Sequence, residues 1–334
     1  MFVRGVASRR PRSLVRGPPD AVNARWRGAR RPAVCYGAPV RVGPVDRFRL
    51  PEITALLEAS CAFDRAAQVA DEKLFGAGPS GLPDALGAWE HDALVGVAAI
   101  AGTRIRVLAV LPEARRRGIG SALLDACCAT ARRAGVTSLR TLDQPGNYLA
   151  PGIDERNTLA IGWLERRGWQ RQGEVRVNVL IEVRGNPRVS TARAEALAVA
   201  AAGRGYEVRR ARPDEHALLD AVGAEFGGAW PFELSRSLAS DPPGVHVAIR
   251  DGAYCAFAAH DGNNRGLGWF GPTGTWPAHR GQGLGEALLL ACLVDVAAHH
   301  PRCEVAWIGP RPFYDRVAGI AADRRFVVLA RELT

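Results

Sequence analysis

The chain has 334 residues, of which 47% are hydrophobic, and carries a formal net charge of +10. No apolar run reaches the ~18 residues that a membrane-spanning helix needs, which argues against an integral membrane protein. The only lysine, Lys73, lies outside any Gly-Lys-Ser/Thr triplet, so a Walker-type phosphate loop is excluded.

The positive charge is concentrated at the N-terminus, where residues 1–34 hold nine arginines and a single acid, Asp20. This Pro/Gly/Arg-rich composition without apolar periodicity predicts a disordered tail over residues 1–35. A polyanion could bind such a tail, but we expect a plain extension and no nucleic-acid partner. An export signal is not expected, because no apolar segment follows Arg9 and Arg10.

The seven cysteines form no Cys-x-x-Cys pair, which favours reduced thiols and a cytoplasmic location. Cys292, His299, His300 and Cys303 lie close together, but their spacing fits no common zinc site. We therefore expect no bound metal.

Two stretches of the chain predict the same order of elements. In residues 36–184 these are a strand and helix within 38–60, a hairpin over 88–102, a strand over 104–111, a helix from about 119 to 134, and then a strand, a shorter helix and a last strand. In residues 205–334 they are a strand and helix within 206–222, a hairpin over 245–260, a strand over 266–275, a helix from about 284 to 298, and the same three final elements.

The two stretches are in register, since Pro112 and Pro277, like Arg115 and Arg280, are separated by the same interval, which indicates an internal repeat. Residues 185–204 predict a linker with a connecting helix. Sequential hairpins argue against a uniformly parallel sheet. The predicted fold is therefore α/β, with two tandem domains (36–184 and 205–334), each a mixed, largely antiparallel sheet flanked by helices.

Each copy places glycines between a strand and a long helix, in "PEARRRGIGSALL" (112–124) and "PAHRGQGLGEALL" (277–289). The N-terminus of a helix has backbone N–H groups without partners and a dipole that favours anions. Glycines let the main chain approach a phosphate closely, and an arginine adds a cation. The pattern predicts a diphosphate-binding loop, although neither stretch matches the Gly-x-Gly-x-x-Gly of dinucleotide-binding proteins.

Both stretches resemble the acyl-CoA loop of the GNAT (GCN5-related N-acetyltransferase) superfamily, in which Gln/Arg-x-x-Gly-x-Gly/Ala follows a strand and opens a helix. The tandem layout is also similar to that of the mycothiol synthases. The resemblance implies an N-acetyltransferase with acetyl-CoA as acyl-donor cosubstrate. It also implies cofactor contacts along the fourth strand of each copy and in each loop, at Leu108, Ala109, Val110, Arg115, Arg116, Arg117, Gly118, Ile119, Gly120, Thr273, Gly274, Thr275, Arg280, Gly281, Gln282, Gly283, Leu284 and Gly285.

The resemblance further implies a tyrosine that protonates the departing thiolate. Tyr314 in "PFYDRVAG" matches that position, whereas the first copy has Leu164. A family asparagine seven residues earlier matches Asn157, also a predicted cofactor contact, while the second copy has Trp307 there. Leucine cannot donate a proton, so we expect the second copy to be catalytic. For the first copy three roles stay open: it binds CoA, binds the substrate, or only completes the structure, and the sequence does not indicate whether it is active.

The general base remains open, and water is one alternative to a side chain. The candidates are Glu225, His246, His260 and Asp261 in the second copy, and Glu90, His91, Asp143 and Asp154 in the first. The leading hypothesis is direct acetyl transfer to an amine of a small molecule or a protein N-terminus. The alternative is a non-catalytic acyl-CoA-binding or sensing protein. The sequence does not indicate the acceptor or the oligomeric state.

Overall fold

One sheet of 13 strands runs through residues 40–333, the part of the chain that the computed structural model describes. The predicted tail, residues 1–35, lies outside these residues. The strands are β1 (Val40–Pro44), β2 (Asp84–Glu90), β3 (Ala93–Ala101), β4 (Arg104–Val110), β5 (Ser138–Thr141), β6 (Ile153–Asp154), β7 (Gln170–Glu182), β8 (Glu207–Arg210), β9 (Val245–Arg250), β10 (Ala253–His260), β11 (Trp269–Thr275), β12 (Arg302–Val305) and β13 (Ala322–Glu332).

Helices cover both faces of this sheet. They are α1 (Leu50–Ser60), α2 (Ala70–Leu74), α3 (Ile119–Arg133), α4 (Thr158–Glu165), α5 (Thr191–Ala202), α6 (Ala217–Phe226), α7 (Trp230–Leu238), α8 (Leu284–His299) and α9 (Arg311–Ala318). None of the helices within residues 40–333 has the length and hydropathy needed to cross a bilayer.

The strand order is β1-β2-β3-β4-β5-β13-β7-β12-β11-β10-β9-β8, and β6 pairs with β13. Only the pairs β4–β5 and β11–β12 are parallel among the described strands. The prediction of an α/β fold with mixed, largely antiparallel pairing is confirmed.

The last strand of each half is exchanged. β7 leaves the first half and pairs with β12 of the second, with Val179 opposite Val305. β13 ends the second half and pairs with β5 of the first, with Arg331 opposite Leu139. β7 and β13 then pair with each other at the centre, so the two predicted sheets are one.

The long helices α3 and α8 lie on the same face of the sheet. Alternate residues of a strand share a face, and β13 places Val327 and Leu329 in the core under α3. Asp323 is four residues before Val327 and so lies on the same face of β13. It pairs with Val179 of β7, which packs under α8. The helices α1, α2, α6 and α7 cover the opposite face.

The spacing of apolar residues that predicted α3 also explains why one face of this helix is buried. Leu123, Cys127 and Ala131 are four residues apart and are all buried against the sheet. Full burial of a leucine of this kind contributes about 1.5–3 kcal/mol. Gly135, at φ 72°, lies just past the end of the helix, where a left-handed residue is favoured.

The connection between β5 and α4 (residues 142–157) has 16 residues, whereas its counterpart, residues 306–310, has five. Much of the longer connection is buried between the halves. Asn263 Nδ2 donates to the Tyr148 carbonyl at 2.9 Å, and Asn264 Nδ2 donates to the Leu149 carbonyl at 3.0 Å. These bonds satisfy backbone groups that burial would otherwise leave without partners.

Residues 185–204 contain α5, whose first turn is capped by Ser190 accepting from the Arg193 amide at 3.3 Å. Arg193 also pairs with Glu286 of α8 at 2.8 Å. The predicted linker therefore packs against the helix that follows the second glycine loop.

Candidate functional site

The sheet opens at two matching places. β4 and β5 pair only at Arg104–Arg140 and Ile105–Thr141, and β11 and β12 pair only at Trp269–Glu304 and Phe270–Val305. Beyond these pairs, residues 106–110 and 271–275 have one edge without a neighbouring strand. An exposed strand edge of this kind can hydrogen-bond an extended ligand. The predicted contacts Leu108–Val110 and Thr273–Thr275 lie on these two edges.

The two glycine loops have the same backbone conformation. Arg115 and Arg280 are extended, at φ −66° and −65°. Matching left-handed residues follow, which are Arg116 (φ 65°) with Gly281 (φ 77°) and Gly118 (φ 82°) with Gly283 (φ 71°). Only glycine adopts such angles without steric cost, so the first loop holds Arg116 where the second has the more favourable Gly281.

Both loops lead into helices whose first N–H groups have no side-chain cap. Helices α3 and α8 begin at Ile119 and Leu284, directly after left-handed Gly118 and Gly283. A Cβ placed on Gly118 or Gly281 would meet nothing within 4 Å, so the main chain borders open space there. Free N–H groups beside open space are suited to bind an anion.

Each loop is anchored to the strand before it. Arg115 Nε donates to the Val110 carbonyl at 3.1 Å, and Arg280 Nε donates to the Thr275 carbonyl at 3.2 Å. Both guanidinium groups therefore occupy the same place relative to their loops. Arg117 forms an ion pair with Glu90, which commits part of its charge within the protein.

The last glycine of each loop faces an aromatic ring on the next helix. A Cβ on Gly120 would lie 3.6 Å from Trp163 of α4, and one on Gly285 would lie 3.7 Å from Phe313 of α9. The helix that precedes the last strand of each half, α4 or α9, is therefore packed next to the glycine loop.

The second loop has an additional cation that sequence reasoning missed. Arg204, just after α5, donates from Nη2 to the Gln282 carbonyl at 2.9 Å. The side chain is exposed, and Gln282 lies 78 residues further along the chain. No local sequence pattern links Arg204 to Gln282. Arg204 is the last residue of the predicted linker, residues 185–204.

Tyr314 lies on α9 and is almost fully buried, with its ring 5.0 Å from that of Phe313. Within residues 40–333 no hydrogen-bond partner engages its hydroxyl. Burial raises the pKa of Tyr314 to about 12, so the hydroxyl keeps its proton at neutral pH. Leu164, its counterpart on α4, is buried in the hydrophobic core beneath α3 and has no hydroxyl group.

Asn157, a predicted cofactor contact, is the N-cap of α4. Its Oδ1 accepts from the Ala160 amide at 3.3 Å. The side-chain oxygen therefore has a structural partner, and the cofactor role of Asn157 stays a prediction.

The first-half candidates for a base are mostly held in ion pairs. Glu90 pairs with Arg117, and Asp154 pairs with Arg156 at 2.7 Å. Asp143 is surrounded by three arginines, at 2.7–2.9 Å: Arg104, Arg140 and Arg176. His91 is in the turn between β2 and β3 and is exposed. Each of these carboxylates is held by at least one arginine, which stabilises its charged form and disfavours the role of a base.

The second-half histidines lie around Asp295, far along α8. His246 Nε2 is 2.7 Å and His260 Nε2 is 3.3 Å from Asp295 Oδ2, and His260 Nδ1 is 3.0 Å from Asp261. Asp295 is 11 residues beyond the start of α8, or ~16 Å at the helical rise. The cluster is therefore remote from the loop, while Glu225 is exposed on α6.

The two openings differ in accessibility. Arg106, Val107, Ala109 and Val110 of β4 are buried, whereas four of the matching five residues of β11 are partly exposed. Arg106 is fully enclosed, donating to the Gly76 carbonyl at 2.6 Å and bonding Gln144 of the 142–157 connection. The second opening is thus the more accessible of the two.

No group of His, Cys, Asp or Glu side chains in residues 40–333 is arranged to hold a metal ion. The six cysteines within that range are free thiols.

Two open parallel pairs, each followed by a glycine loop and a helix, define the class of acyl-CoA-dependent acetyltransferases. Two family models match this chain, "Acetyltransferase (GNAT) domain" over residues 84–171 and "Acetyltransferase (GNAT) family" over residues 215–319. Together the matches cover more than half of the sequence. The chain belongs to the GNAT superfamily and is a tandem member of it.

Solved structures support the tandem fold. A glucosamine N-acetyltransferase region of a fungal multi-domain GH3 β-N-acetylglucosaminidase aligns with 88% of this chain, at TM-score 0.71 and 16% identity, and this chain spans 38% of that protein. A tandem GNAT protein of the clavulanic acid biosynthesis pathway aligns over 89% of this chain and 99% of its own, at TM-score 0.63 and 20% identity. A GNAT protein from Sphaerobacter thermophilus aligns over 89% and 97%, at TM-score 0.63 and 17% identity.

At these identities the similarity establishes the fold alone. No curated protein matches the chain.

Proposed function

We propose that the second half transfers an acetyl group from acetyl-CoA to an amine. One observation carries this proposal: of the two openings, only the one between β11 and β12 is followed by a helix with a tyrosine, Tyr314, where the first half has Leu164. The greater accessibility of the second opening supports the same assignment. We propose a cytoplasmic location on the cysteine spacing alone.

Several residues of the second half fit acetyl-CoA, which supplies the activated thioester when bound. Residues 273–275 present main-chain groups to the pantetheine arm along the free edge of β11. The N–H groups at Gly281–Gly283 and the start of α8 would hold the diphosphate. Arg280 and Arg204 add positive charge on two sides of that loop.

Two groups of the second half would then take part in the reaction, a main-chain N–H and the Tyr314 hydroxyl. A main-chain N–H on the free edge of β11 donates a hydrogen bond to the carbonyl oxygen, where negative charge develops. The Tyr314 hydroxyl donates its proton to the departing sulfur. We assign no side chain as base, because His246, His260 and most acidic candidates are engaged elsewhere, and water takes the proton of the amine.

The test is thiol release from acetyl-CoA in the presence of a panel of amines. We expect Tyr314→Phe to lower kcat by about 10²-fold while the Kd for acetyl-CoA stays unchanged. Tyr254→Phe is the matched control, because the hydroxyl of Tyr254 contacts Glu215 on the α6–α7 side of the molecule. Equal turnover in the wild type and Tyr314→Phe would remove Tyr314 from the mechanism.

We propose that the first half has a non-catalytic role. Leu164 cannot donate a proton, and Arg106 with its partners fills the first opening on the α2 side. The proposed domains are the ranges 36–184 and 205–334, each completed by the last strand of the other.

A further inference from the structure

Trp307 is a large apolar side chain at the mouth of the second opening. The amide of Ala306 donates to the Phe270 carbonyl at 3.3 Å, the last contact between the diverging β11 and β12 segments. Trp307 is the next residue, and 43% of its surface is exposed. A tryptophan this exposed at a cleft is a candidate for ligand contact.

The backbone of Trp307 is held in an unfavourable conformation. Its φ is 47°, which costs a bulky residue about 1–3 kcal/mol. The Trp307 amide donates to Asn178 Oδ1 at 2.8 Å, and Asn178 Nδ2 donates to Glu304 at 2.7 Å. Arg324 binds both oxygens of Glu304 at 3.0 Å. This buried network fixes the residue in place.

The indole lies on the face opposite the glycine loop. The Arg176 guanidinium is 4.0 Å from its ring centroid, and the Tyr148 ring meets it edge-on at 6.1 Å. Arg176 and Asn178 alternate along β7 with Val177 and Val179, which pack under α8. A pantetheine arm that enters from the α8 side would therefore present its thioester towards Trp307.

We propose that Trp307 is a specificity-determining residue whose indole stacks the flat face of a ring-bearing amine, the acceptor. This inference rests on the proposed function. Arg176 and Tyr148 hold the indole, and the exposed part of its surface is left for the acceptor. An aromatic platform of this kind favours a sugar or aromatic ring over an open chain.

The surrounding charges disfavour a polyamine. The Arg176 guanidinium lies against the indole, and the carboxylate paired with it, Asp143, is already shared among three arginines. An acceptor with several positive charges would meet the Arg176 cation here. A ring with a single amine meets less repulsion.

The experiment compares wild type, Trp307→Ala and Trp307→Phe with four amines: glucosamine (a sugar ring), benzylamine (an aromatic ring), ethanolamine and putrescine (no ring). Initial rates of thiol release separate kcat from KM. Calorimetry measures the Kd of each amine for the CoA-saturated protein. Phe48→Ala is the control, because Phe48 is an exposed aromatic residue outside the site.

We expect a ring amine to be preferred, and Trp307→Ala to raise its KM and Kd by about 3- to 12-fold. Trp307→Phe should recover most of the loss, while ring-free amines and Phe48→Ala should change less than twofold. The glucosamine and benzylamine arms distinguish a sugar from an aromatic acceptor. An unchanged thermal midpoint and acetyl-CoA Kd show that the variants are folded.

Two results would overturn the inference. If thiol release proceeds but ring-free amines are preferred, or if Trp307→Ala affects all amines equally, the platform role is wrong while the proposed transferase stands. If no amine supports thiol release and acetyl-CoA does not bind, the proposed function fails and the inference fails with it.

Discussion

Lys73 Nζ, in the first half, donates a hydrogen bond of 2.7 Å to Asn263 Oδ1, in the second half, 190 residues away. The ammonium group also bonds Asn147 at 2.8 Å and Glu72 at 2.7 Å, so all three of its N–H donors are used. It is fully buried, and burial lowers the pKa of Lys73 to about 8. The only lysine of the chain thus joins the two halves.

Replacing Lys73 should destabilise the whole protein. Lys73→Met keeps the aliphatic stem but leaves the Glu72 carboxylate and two amide oxygens without this donor. We expect the free energy of unfolding to fall by about 3–5 kcal/mol, measured by urea denaturation. Arg47→Ala, which removes the exposed partner of Asp71 on the same helix, should cost under about 1 kcal/mol. Similar small losses in both variants would show that the buried bonds contribute little.

The cluster around His260 should make stability depend on pH. Burial by itself would lower the pKa of His260, but hydrogen bonds to Asp261 and Asp295 outweigh it and raise the pKa to about 9. A histidine whose pKa is raised by folding stabilises the protein fully below its pKa in the unfolded chain, 6.5. This stabilisation is lost as the pH rises through 9.

We therefore expect the stability difference between wild type and His260→Gln to shrink by about 1–3 kcal/mol from pH 6.5 to pH 9.5. Urea denaturation at a series of pH values measures it. Comparison with the variant cancels other titrating groups, such as Lys73. A difference that stays constant over this range would mean that His260 is not stabilised as the charged form.

Arg204 should strengthen acetyl-CoA binding at the second loop. One of its N–H groups holds the Gln282 carbonyl, and the remaining donors of the guanidinium are free to meet a phosphate. We expect Arg204→Ala to raise the Kd for acetyl-CoA about fivefold at low salt, and less at high salt because the site is exposed. Arg302→Ala removes an equal charge at the start of β12 and should leave the Kd unchanged. Equal Kd values for the two variants would exclude a phosphate contact.

The parts of the fold that sequence reasoning predicted well are those set by local signals. Asp251-Gly252 fixed the hairpin of β9 and β10, and the four-residue spacing of Leu123 and Cys127 predicted α3. Both glycine loops could be placed because their backbone needs left-handed residues at Gly118 and Gly283. These signals act over a few residues and are visible in a single sequence.

The features that could not be predicted depend on distant partners. Nothing local in β7 or β13 indicates that each pairs with the opposite half, since alternating apolar residues in β7 and the apolar run Phe326–Ala330 in β13 predict a strand without naming its partner. The buried polar contacts of Asn147 and Asn263 could not be predicted either, because asparagine usually indicates an exposed turn. Helix α7 was missed as well, although Pro231 in its first turn is a recognised start signal.

The most direct test of the central claim compares a bulky substitution at matching positions of the two glycine loops. Gly283→Trp places a side chain beside the N-terminus of α8, and Gly118→Trp does the same at α3. If the second opening is the catalytic site, thiol release from acetyl-CoA should fall at least about tenfold in Gly283→Trp and remain near wild type in Gly118→Trp. Full turnover in Gly283→Trp, or its loss only in Gly118→Trp, would contradict the assignment.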